Sequence, residues 1–516
     1  MLFNSYIFLF CFLPLTLLAY QLAGMVGRRA VIVTLGVASL VFYAYWKPAF
    51  LLVLFGSILF NYLFASLISR RIPNNISTTA LLWTAIVGNL AALGYFKYLF
   101  PLLNFLSASF GSGHHFADVL LPLGISFFTF TQIGYLVDLQ QGGATQQDFS
   151  SYLLFVTFFP HLIAGPILHH KDTMPQFQQN RIYRLQWNDV AVGMTWFTMG
   201  LFKKVLLADK LLPVASQAFS AHGMLTTQSA WLGALSYTLQ LYFDFSGYCD
   251  MACGLARMFS IDFPLNFSSP YKARNIIDFW QRWHITLTQY IGSYLYSPIQ
   301  FWISRRRQEQ GKKVSKKAQA TPEGFLQMIA LPTIFTMAIV GVWHGAGAQY
   351  VIYGLLHGAY LTVAHAWRLA RHRYGIESLT GIRGTLAHAA AVLLTMACVV
   401  FSQIFFRADT VHDAILLIRR MVGMHVAGVG PILELSLRSS SRNILIGLFI
   451  VWVLPNTQQV LARYKPSLRL TPFDEQPRTA PVYWKPSLAW GLVLGAAMMC
   501  AVVSMQNPST FLYFQF

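Results

Sequence analysis

The chain has 516 residues, of which 55% are hydrophobic and 11% are charged. A soluble globular domain carries about 25% charged residues, so this composition excludes a protein whose surface mostly faces water. It predicts that most of the surface faces lipid. The formal net charge is +19. Because the basic residues stand between apolar runs, the positive-inside rule accounts for them, and we predict a membrane topology with no nucleic-acid partner.

Apolar windows long enough to cross a membrane recur along the whole chain. They predict one all-α membrane domain over 1–516, a polytopic bundle of about 11–13 transmembrane helices with amphipathic or re-entrant segments around a central cavity. A further window at 151–168 is interrupted by prolines and a glycine, so we expect a re-entrant segment there. The windows lie near 6–26, 30–46, 50–68, 79–100, 119–137, 191–208, 230–256, 325–342, 349–367, 387–406, 442–460 and 487–505.

The distribution of basic residues predicts the orientation of the chain. Arginine pairs follow the first and the third apolar windows, which places these window ends in the cytoplasm and the N-terminus of an uncleaved first span (1–26) outside. The stretches 305–317 and 463–485 are also basic, so we expect them in the cytoplasm. The last window then runs outward, and residues 506–516 are predicted to form an exoplasmic tail.

Motifs for cofactors and metals are missing from the sequence. It contains no P-loop, no G-x-S-x-G elbow, no H-E-x-x-H and no dinucleotide-binding fingerprint. The pairs His114-His115 and His169-His170 have no third ligand at a recognisable spacing, so we predict no metal site and no bound cofactor. The five cysteines lie in apolar stretches, where we expect them to pack and not to form disulfides.

One histidine stands in a glycine-flanked break between two apolar windows, in the run Trp343-His344-Gly345. Polar side chains inside membrane spans are costly, and for that reason each is a functional candidate. One interpretation is a general base, because a neutral imidazole can take a proton from a hydroxyl that attacks a thioester. The other is a histidine that is hydrogen-bonded at the end of a span, with glycines that let helices approach closely. The residues leave both open.

A second polar region precedes this break. It contains Asp244, Asn266 and the run FWQRWH at 279–284. The run suits an amphipathic helix at the membrane interface or along a polar cavity. His284 is either a second active-site group or, with Trp283, an anchor of an interfacial helix. Asp244 is either a substrate-binding group or a structural partner of nearby polar side chains.

Two segments in these regions resemble the signature motifs of the membrane-bound O-acyltransferase (MBOAT) family. They are FWQRWHITL at 279–287 and WHGA at 343–346. Three more segments are similar to the alginate O-acetyltransferase branch of that family, and together the similar segments extend over nearly the whole chain. These three are FFPHLIAGP at 158–166, QLYFDFSGY at 240–248 and FLYFQF at 511–516.

The resemblance implies an O-acyltransferase whose core catalytic motifs lie within 240–360. It implies a cytosolic acyl-CoA donor, expected to be acetyl-CoA, that is a substrate and not a bound cofactor. It further implies His344 as the essential histidine and His284 as a second catalytic residue. In envelope-polymer relatives the terminal tyrosine, here Tyr513, accepts the acyl group and passes it to a second, extracytoplasmic transferase. The residues expected to bind substrate are Trp343, Trp283, Arg282, Asp244 and Asn266.

The resemblance also implies a multi-pass protein of the bacterial inner membrane, surrounded by lipid, that acylates an exported polysaccharide such as alginate. Other polymers stay open: cellulose, peptidoglycan, or teichoic acid that receives D-alanine. From a different class, a polysaccharide or lipid transporter would also place polar residues in broken helices, although the sequence has no inverted repeat. A structural subunit of an export complex is a third reading. The tail itself is alternatively an aromatic cluster at the membrane interface.

Overall fold

The computed structural model of the protein describes residues 1–70, 77–111, 114–117, 119–377, 379–424, 437–468, 482–505 and 511–512. Within these ranges the chain is helical and has no strand, apart from one isolated antiparallel bridge between Phe267 and Trp283. The predicted all-α fold is therefore confirmed. The α-helices are, in chain order, α1 Leu13–Val26, α2 Arg28–Ala44, α3 Phe50–Ser69, α4 Thr78–Gly94, α5 Phe100–Ser109, α6 Ile125–Gln140, α7 Phe149–Thr157, α8 Phe159–Leu162, α9 His170–Thr173, α10 Trp187–Phe202, α11 Asp209–Phe219, α12 Thr227–Met258, α13 Ile276–Trp280, α14 Ile285–Ile291, α15 Ser297–Glu309, α16 Lys316–Gln319, α17 Pro322–Phe325, α18 Leu331–His344, α19 Ala348–Arg373, α20 Gly381–Arg407, α21 Val411–Met421, α22 Leu437–Val453, α23 Thr457–Leu461 and α24 Leu488–Ser504.

Several α-helices continue directly into π-helical turns, so that the continuous helical stretches are longer than the α-helices alone. The π-helical turns are Phe8–Phe12, Tyr95–Leu99, Lys203–Ala208, Gly292–Tyr296 and Leu326–Ala330. Single 3₁₀ turns lie in the connections. They are Met174–Gln178, Asn180–Tyr183, Pro270–Lys272 and Ala462–Tyr464.

The described residues contain 6 helical stretches that are long and apolar enough to cross a membrane, or up to 7 if the bent pair Ser440–Val453 and Thr457–Tyr464 is one span. The polytopic membrane fold is thus confirmed, but these spans are fewer than the sequence windows predicted. The 6 stretches are Phe8–Val26, Phe50–Ser69, Thr78–Ser109, Trp187–Phe219, Pro322–His344 and Gly381–Arg407.

Helix length and polar composition explain this difference. Three of the predicted windows form α2, α6 and α24, which have 17, 16 and 17 residues, whereas a perpendicular span needs about 20. The window near 230–256 lies within α12, which is long enough but carries Asp244, Asp250 and Arg257. The mean hydropathy of a sequence window does not show where a helix begins and ends or how many charged residues the helix contains.

The described chain divides into two compact units. Unit 1 comprises Met1–Leu206, Asp244–Leu265 and Thr457–Phe516, and unit 2 comprises Leu207–Phe243 and Asn266–Asn456. Helix α12 contributes residues to both units. The organisation of 1–516 as a single membrane domain stays a prediction.

In unit 1, α10 packs against α24, and α3, α4 and α6 pack on one another. The crossing of α10 with the second half of α12 is unusually close. A Cβ atom added at Gly200 would lie 2.6 Å from the carbonyl oxygen of Gly247, and one added at Gly247 would lie 2.8 Å from the carbonyl oxygen of Gly200. The two backbones therefore touch, as small residues permit between membrane helices.

In unit 2, α19 is the central helix. It packs along α18, and it also contacts α13 and α20. Helix α18 ends at His344, and α13 forms the first part of the run at 279–284. The packing of α19 therefore brings the two histidine-containing segments of the sequence into one unit.

The close crossing in unit 1 gives the first prediction. Gly200→Ala is expected to lower the free energy of unfolding by about 1–3 kcal/mol, because the added methyl group meets backbone atoms that cannot rotate away. The midpoint of thermal unfolding in detergent measures this change. Gly56→Ala on α3 is the matched control, since a Cβ atom at Gly56 meets nothing within 4 Å. Equal midpoints for the two variants would contradict the close crossing.

Candidate active site

His344 is the last residue of α18, and Gly345 directly after it is in extended backbone conformation. Helix α19 begins at Ala348. A Cβ atom at Gly345 would lie 2.3 Å from the ring of Tyr350, so a larger residue would force that ring to move. The glycine after the histidine therefore allows close packing at the turn between the two helices, as the sequence suggested.

The imidazole of His344 is enclosed by aromatic rings. The residue is 6% exposed, and its ring centroid lies 4.7 Å from that of Trp343, 4.8 Å from that of Phe406 and 5.9 Å from that of Tyr353. Helices α18, α19 and α20 each supply part of this enclosure. Exclusion of water is what a base acting on a thioester needs, because water would otherwise compete with the acceptor hydroxyl.

His357 on α19 connects three segments of unit 2. Its Nδ1 accepts a hydrogen bond from Trp280 Nε1 at 3.3 Å, and its Nε2 lies 2.9 Å from the Ser402 hydroxyl oxygen. Since Nδ1 is the acceptor, the ring proton is on Nε2 and is donated to Ser402, whose own hydroxyl donates to the Val399 carbonyl at 2.9 Å. Both ring nitrogens of His357 thus form hydrogen bonds that join α13, α19 and α20.

His284 is held in a specific orientation by Asn266. The residue is 2% exposed and has a left-handed backbone, with φ of 44°, a conformation that concentrates at functional sites. Its Nδ1 lies 3.1 Å from Asn266 Oδ1, an oxygen that also accepts from the backbone N–H and the hydroxyl of Thr286 at 3.2 and 3.0 Å. Because an amide oxygen only accepts, Nδ1 carries the proton, and Nε2 presents a lone pair.

Arg282 and Trp283 stabilise the same loop from within. The Arg282 guanidinium is paired with Asp278 at 2.7 Å, and the backbone N–H of Ser268 donates to the Arg282 carbonyl at 2.9 Å. Trp283 is 6% exposed and packs on Phe267, with ring centroids 5.0 Å apart. The predicted role of both side chains in substrate binding stays a prediction.

The structure brings the two sequence motifs together through α19. Tyr353 lies next to His344, and its ring is 4.6 Å from that of His357, which in turn contacts Trp280. Sequence reasoning missed Tyr353 and Phe406 as neighbours of His344. A signal existed on α19, where Tyr350, Tyr353 and His357 recur at the spacing of one helix face.

Asp244, also predicted to bind substrate, lies in unit 1. Its carboxylate is 2.5 Å from Lys204 Nζ, and it accepts a hydrogen bond of 3.0 Å from the backbone N–H of Leu512. The sequence suggested nearby polar side chains as structural partners, but the charged partner is a lysine 40 residues earlier, in the π-helical turn Lys203–Ala208. Tyr513, the third predicted catalytic residue, lies outside the described residues.

A third group joins one of the histidine pairs that the sequence analysis set aside. Asp138 Oδ2 lies 2.9 Å from His169 Nε2 and 3.5 Å from His170 Nδ1. However, His169 Nδ1 accepts from the backbone N–H of Lys171 at 3.3 Å, so the His169 proton is on Nε2 and points at Asp138. Lys171 Nζ also lies 4.0 Å from that carboxylate oxygen. One possible ligand atom from each of Asp138, His169 and His170 thus lies within 4.8 Å of the other two, a grouping that the sequence did not reveal, and the absence of a metal site stays a prediction.

Comparison with known proteins gives a consistent result. The sequence profile of the MBOAT, membrane-bound O-acyltransferase, family matches residues 140–310. The chain is 36% identical over 452 residues to a peptidoglycan O-acetyltransferase of Helicobacter pylori, covering 82% of this chain and 80% of the relative. It is 34% identical over 529 residues to a probable alginate O-acetylase of Pseudomonas putida, covering 100% of both. It is 26% identical over 306 residues to a teichoic acid D-alanyltransferase of Bacillus subtilis, covering 58% of this chain and 72% of the relative.

The three bonds to Asn266 Oδ1 give the second prediction. Asn266→Ala is expected to lower the free energy of unfolding by about 1–3 kcal/mol, because it leaves buried donors of His284 and Thr286 without their acceptor. Thermal unfolding in detergent measures the loss. Thr286→Val is the control, since it removes one hydroxyl and keeps the bond to His284. A loss in Asn266→Ala no larger than that in Thr286→Val would mean that Asn266 does not hold the His284 loop.

Proposed function

Because the chain belongs to the membrane-bound O-acyltransferase family, we propose that it moves an acetyl group from cytosolic acetyl-CoA across the membrane for O-acetylation of an exported or cell-surface polysaccharide. The protein is a multi-pass membrane O-acyltransferase. The observation that carries the catalytic part of the proposal is the buried His344 at the end of α18, enclosed by the rings of Trp343, Tyr353 and Phe406.

In the proposed reaction, His344 is the general base. It takes the proton of an acceptor hydroxyl as the hydroxyl oxygen attacks the carbonyl carbon of the thioester. The tetrahedral intermediate then collapses, the C–S bond breaks, and CoA leaves as a thiol after it receives the proton from the imidazolium. His284, with Nδ1 protonated and Nε2 as acceptor, is proposed as a second polar group of the site, and His357 as a support.

The proposed acceptor is the hydroxyl of Tyr513, which stands in the terminal aromatic segment FLYFQF. The acetyl group would then pass from Tyr513 to a second transferase outside the cytoplasm, which esterifies the polymer. This route needs the tail on the exoplasmic side, as the distribution of basic residues predicts. It also places the protein in the cytoplasmic membrane of a bacterium.

The identity of the polymer is proposed from the relatives. Alginate is favoured by the relative that aligns over 100% of both chains. Peptidoglycan is a second candidate, because the relative named for that polymer has comparable identity, 36% over 82% of this chain. The two polymers are separated by mass spectrometry of acetylated polysaccharide and of acetylated muropeptides, each from cells with and without the gene.

The proposed base gives the third prediction. His344→Ala, and His344→Gln as the variant that better preserves side-chain volume, are expected to reduce transfer of labelled acetyl from acetyl-CoA to polymer by about 100-fold or more. Inverted membrane vesicles supplied with labelled acetyl-CoA provide the measurement. His388→Ala is the control, because His388 is exposed on α20. Normal transfer in a folded His344→Gln variant would disprove the base, and use of another acyl donor would disprove acetyl-CoA.

The proposed relay gives the fourth prediction. Tyr513→Phe keeps the aromatic ring and removes only the hydroxyl, so polymer acetylation is expected to fall to background while the amount of folded protein stays unchanged. Mass spectrometry of the C-terminal peptide should detect an acetyl ester on Tyr513 in the parent protein. If Tyr513→Phe acetylates polymer at the level of the parent protein, the relay is wrong, and the alternative of an aromatic cluster at the membrane interface is favoured.

A further inference from the structure

The last two described residues of the chain, Phe511 and Leu512, are buried in unit 1. They are 1% and 6% exposed. An aromatic segment that served only as an anchor at the membrane interface would keep its backbone and rings at the surface of the fold. Phe511 and Leu512 instead lie in the interior of unit 1, and the contacts around these two residues show what holds them.

One carboxylate joins the tail to a helix of unit 1. Asp244 uses Oδ1 for the ion pair with Lys204 Nζ, at 2.5 Å, and Oδ2 for the hydrogen bond from the backbone N–H of Leu512, at 3.0 Å. The side chains of Lys204 and Asp244 are 2% and 1% exposed. A buried ion pair is favourable only when further hydrogen bonds satisfy its remaining lone pairs, and the tail supplies such a bond from its main chain.

The ring of Phe511 fits between a cation and an aromatic surface. Lys204 Nζ lies 4.8 Å from the Phe511 ring centroid, which is cation–π distance. The ring also meets Tyr248 edge-on, with centroids 4.5 Å apart, and Tyr248 stacks on Phe3 at 4.9 Å. Lys204 therefore contacts Asp244 and Phe511 at the same time. Leu512 is held by a charge-assisted hydrogen bond, and Phe511 is held by its contacts with Lys204 and Tyr248.

We propose that Asp244 and Lys204 form the docking site of the C-terminal tail, and that they act as positioning residues for acyl transfer. Asp244 holds the main chain at Leu512, and Lys204 holds the ring of Phe511. Tyr513 is the next residue in the sequence, so a fixed Leu512 restricts where its hydroxyl can reach. The positioning role rests on the proposed function of Tyr513, whereas the docking itself does not.

The docking is tested by chemical accessibility, which needs no acyl transfer. Leu512→Cys is introduced into the full-length protein in which Cys11, Cys398 and Cys500 are changed to serine, and its rate of reaction with a water-soluble maleimide is measured in detergent. In the docked tail this thiol reacts slowly. Adding Asp244→Asn weakens the charge-assisted bond, and we expect the labelling rate to rise about tenfold or more.

A second variant removes the docking contacts without leaving a charge unpaired. Lys204→Met combined with Asp244→Leu replaces the buried pair by apolar side chains, a change that buried ion pairs often tolerate, and it removes the acceptor of the Leu512 N–H. We expect thermal stability near that of the parent protein together with fast labelling. Slow labelling in this folded double variant would overturn the docking site.

The neighbouring ion pair provides the matched control. Lys203 and Asp250 lie on the same two helical segments, 2.5 Å apart, and the Asp250 carboxylate is a different one from the Asp244 carboxylate that accepts from the backbone N–H of Leu512. Asp250→Asn is therefore expected to lower stability but to leave the labelling rate of Leu512→Cys unchanged. Equal acceleration in Asp250→Asn and Asp244→Asn would mean that unit 1 loosens as a whole, and it would refute specific docking by Asp244.

Acetyl transfer then separates the docking from the relay. If both proposals hold, the double variant at 204 and 244 labels fast and also acetylates polymer at least about tenfold more slowly than the parent. If the double variant labels fast but acetylates polymer at the rate of the parent protein, the docking site is supported and its positioning role is refuted. Tyr513→Phe in the parent background tests the relay itself, so failure of the relay is distinguished from failure of the docking.

Discussion

Directly after α10, the side chain of Lys203 is partly buried and that of Lys204 is fully buried in unit 1, and their need for partners sets the register of α10 against α12. The Asp250 carboxylate pairs with Lys203 Nζ and accepts hydrogen bonds from Trp196 Nε1 and the Thr457 hydroxyl. The Asp244 carboxylate pairs with Lys204 Nζ and accepts a hydrogen bond from the backbone N–H of Leu512. A buried charge without a partner is expensive, so a shift of one helix along the other would break both pairs together. The backbone contact at Gly200 and Gly247 makes the side chains reach each other.

In unit 2, hydrogen bonds fix which ring nitrogen of His357 and which ring nitrogen of His284 carries the proton. His357 accepts at Nδ1 and donates from Nε2, whereas His284 donates from Nδ1 to Asn266. The two rings therefore have opposite tautomers and different tasks. Both ring nitrogens of His357 form hydrogen bonds that join α13, α19 and α20, while Nε2 of His284 carries the lone pair of the ring. Proton transfer by His344, with His284 as a second polar group, stays a proposal.

The sequence predicted the helical class and the membrane setting, because apolar length is a local property. It did not predict the number of helices that meet the length of a span, since charges and turns inside the windows shorten or polarise them. The sequence also did not predict the partners of Asp244 and Asp138. Lys204 and the His169-His170 pair are remote in sequence, and only packing brings them to those carboxylates.

The polar and aromatic density of the segment QLYFDFSGY at 240–248 has a physical explanation in these contacts. Tyr242 packs on Trp283 and Phe267 within unit 2, and Asp244, two residues later on the same continuous helix, holds Lys204 and Leu512 within unit 1. Residues next to each other on α12 thus serve the histidine loop and the tail separately. A helix with both sets of contacts cannot be uniformly apolar, and the predicted role of Asp244 in substrate binding stays a prediction.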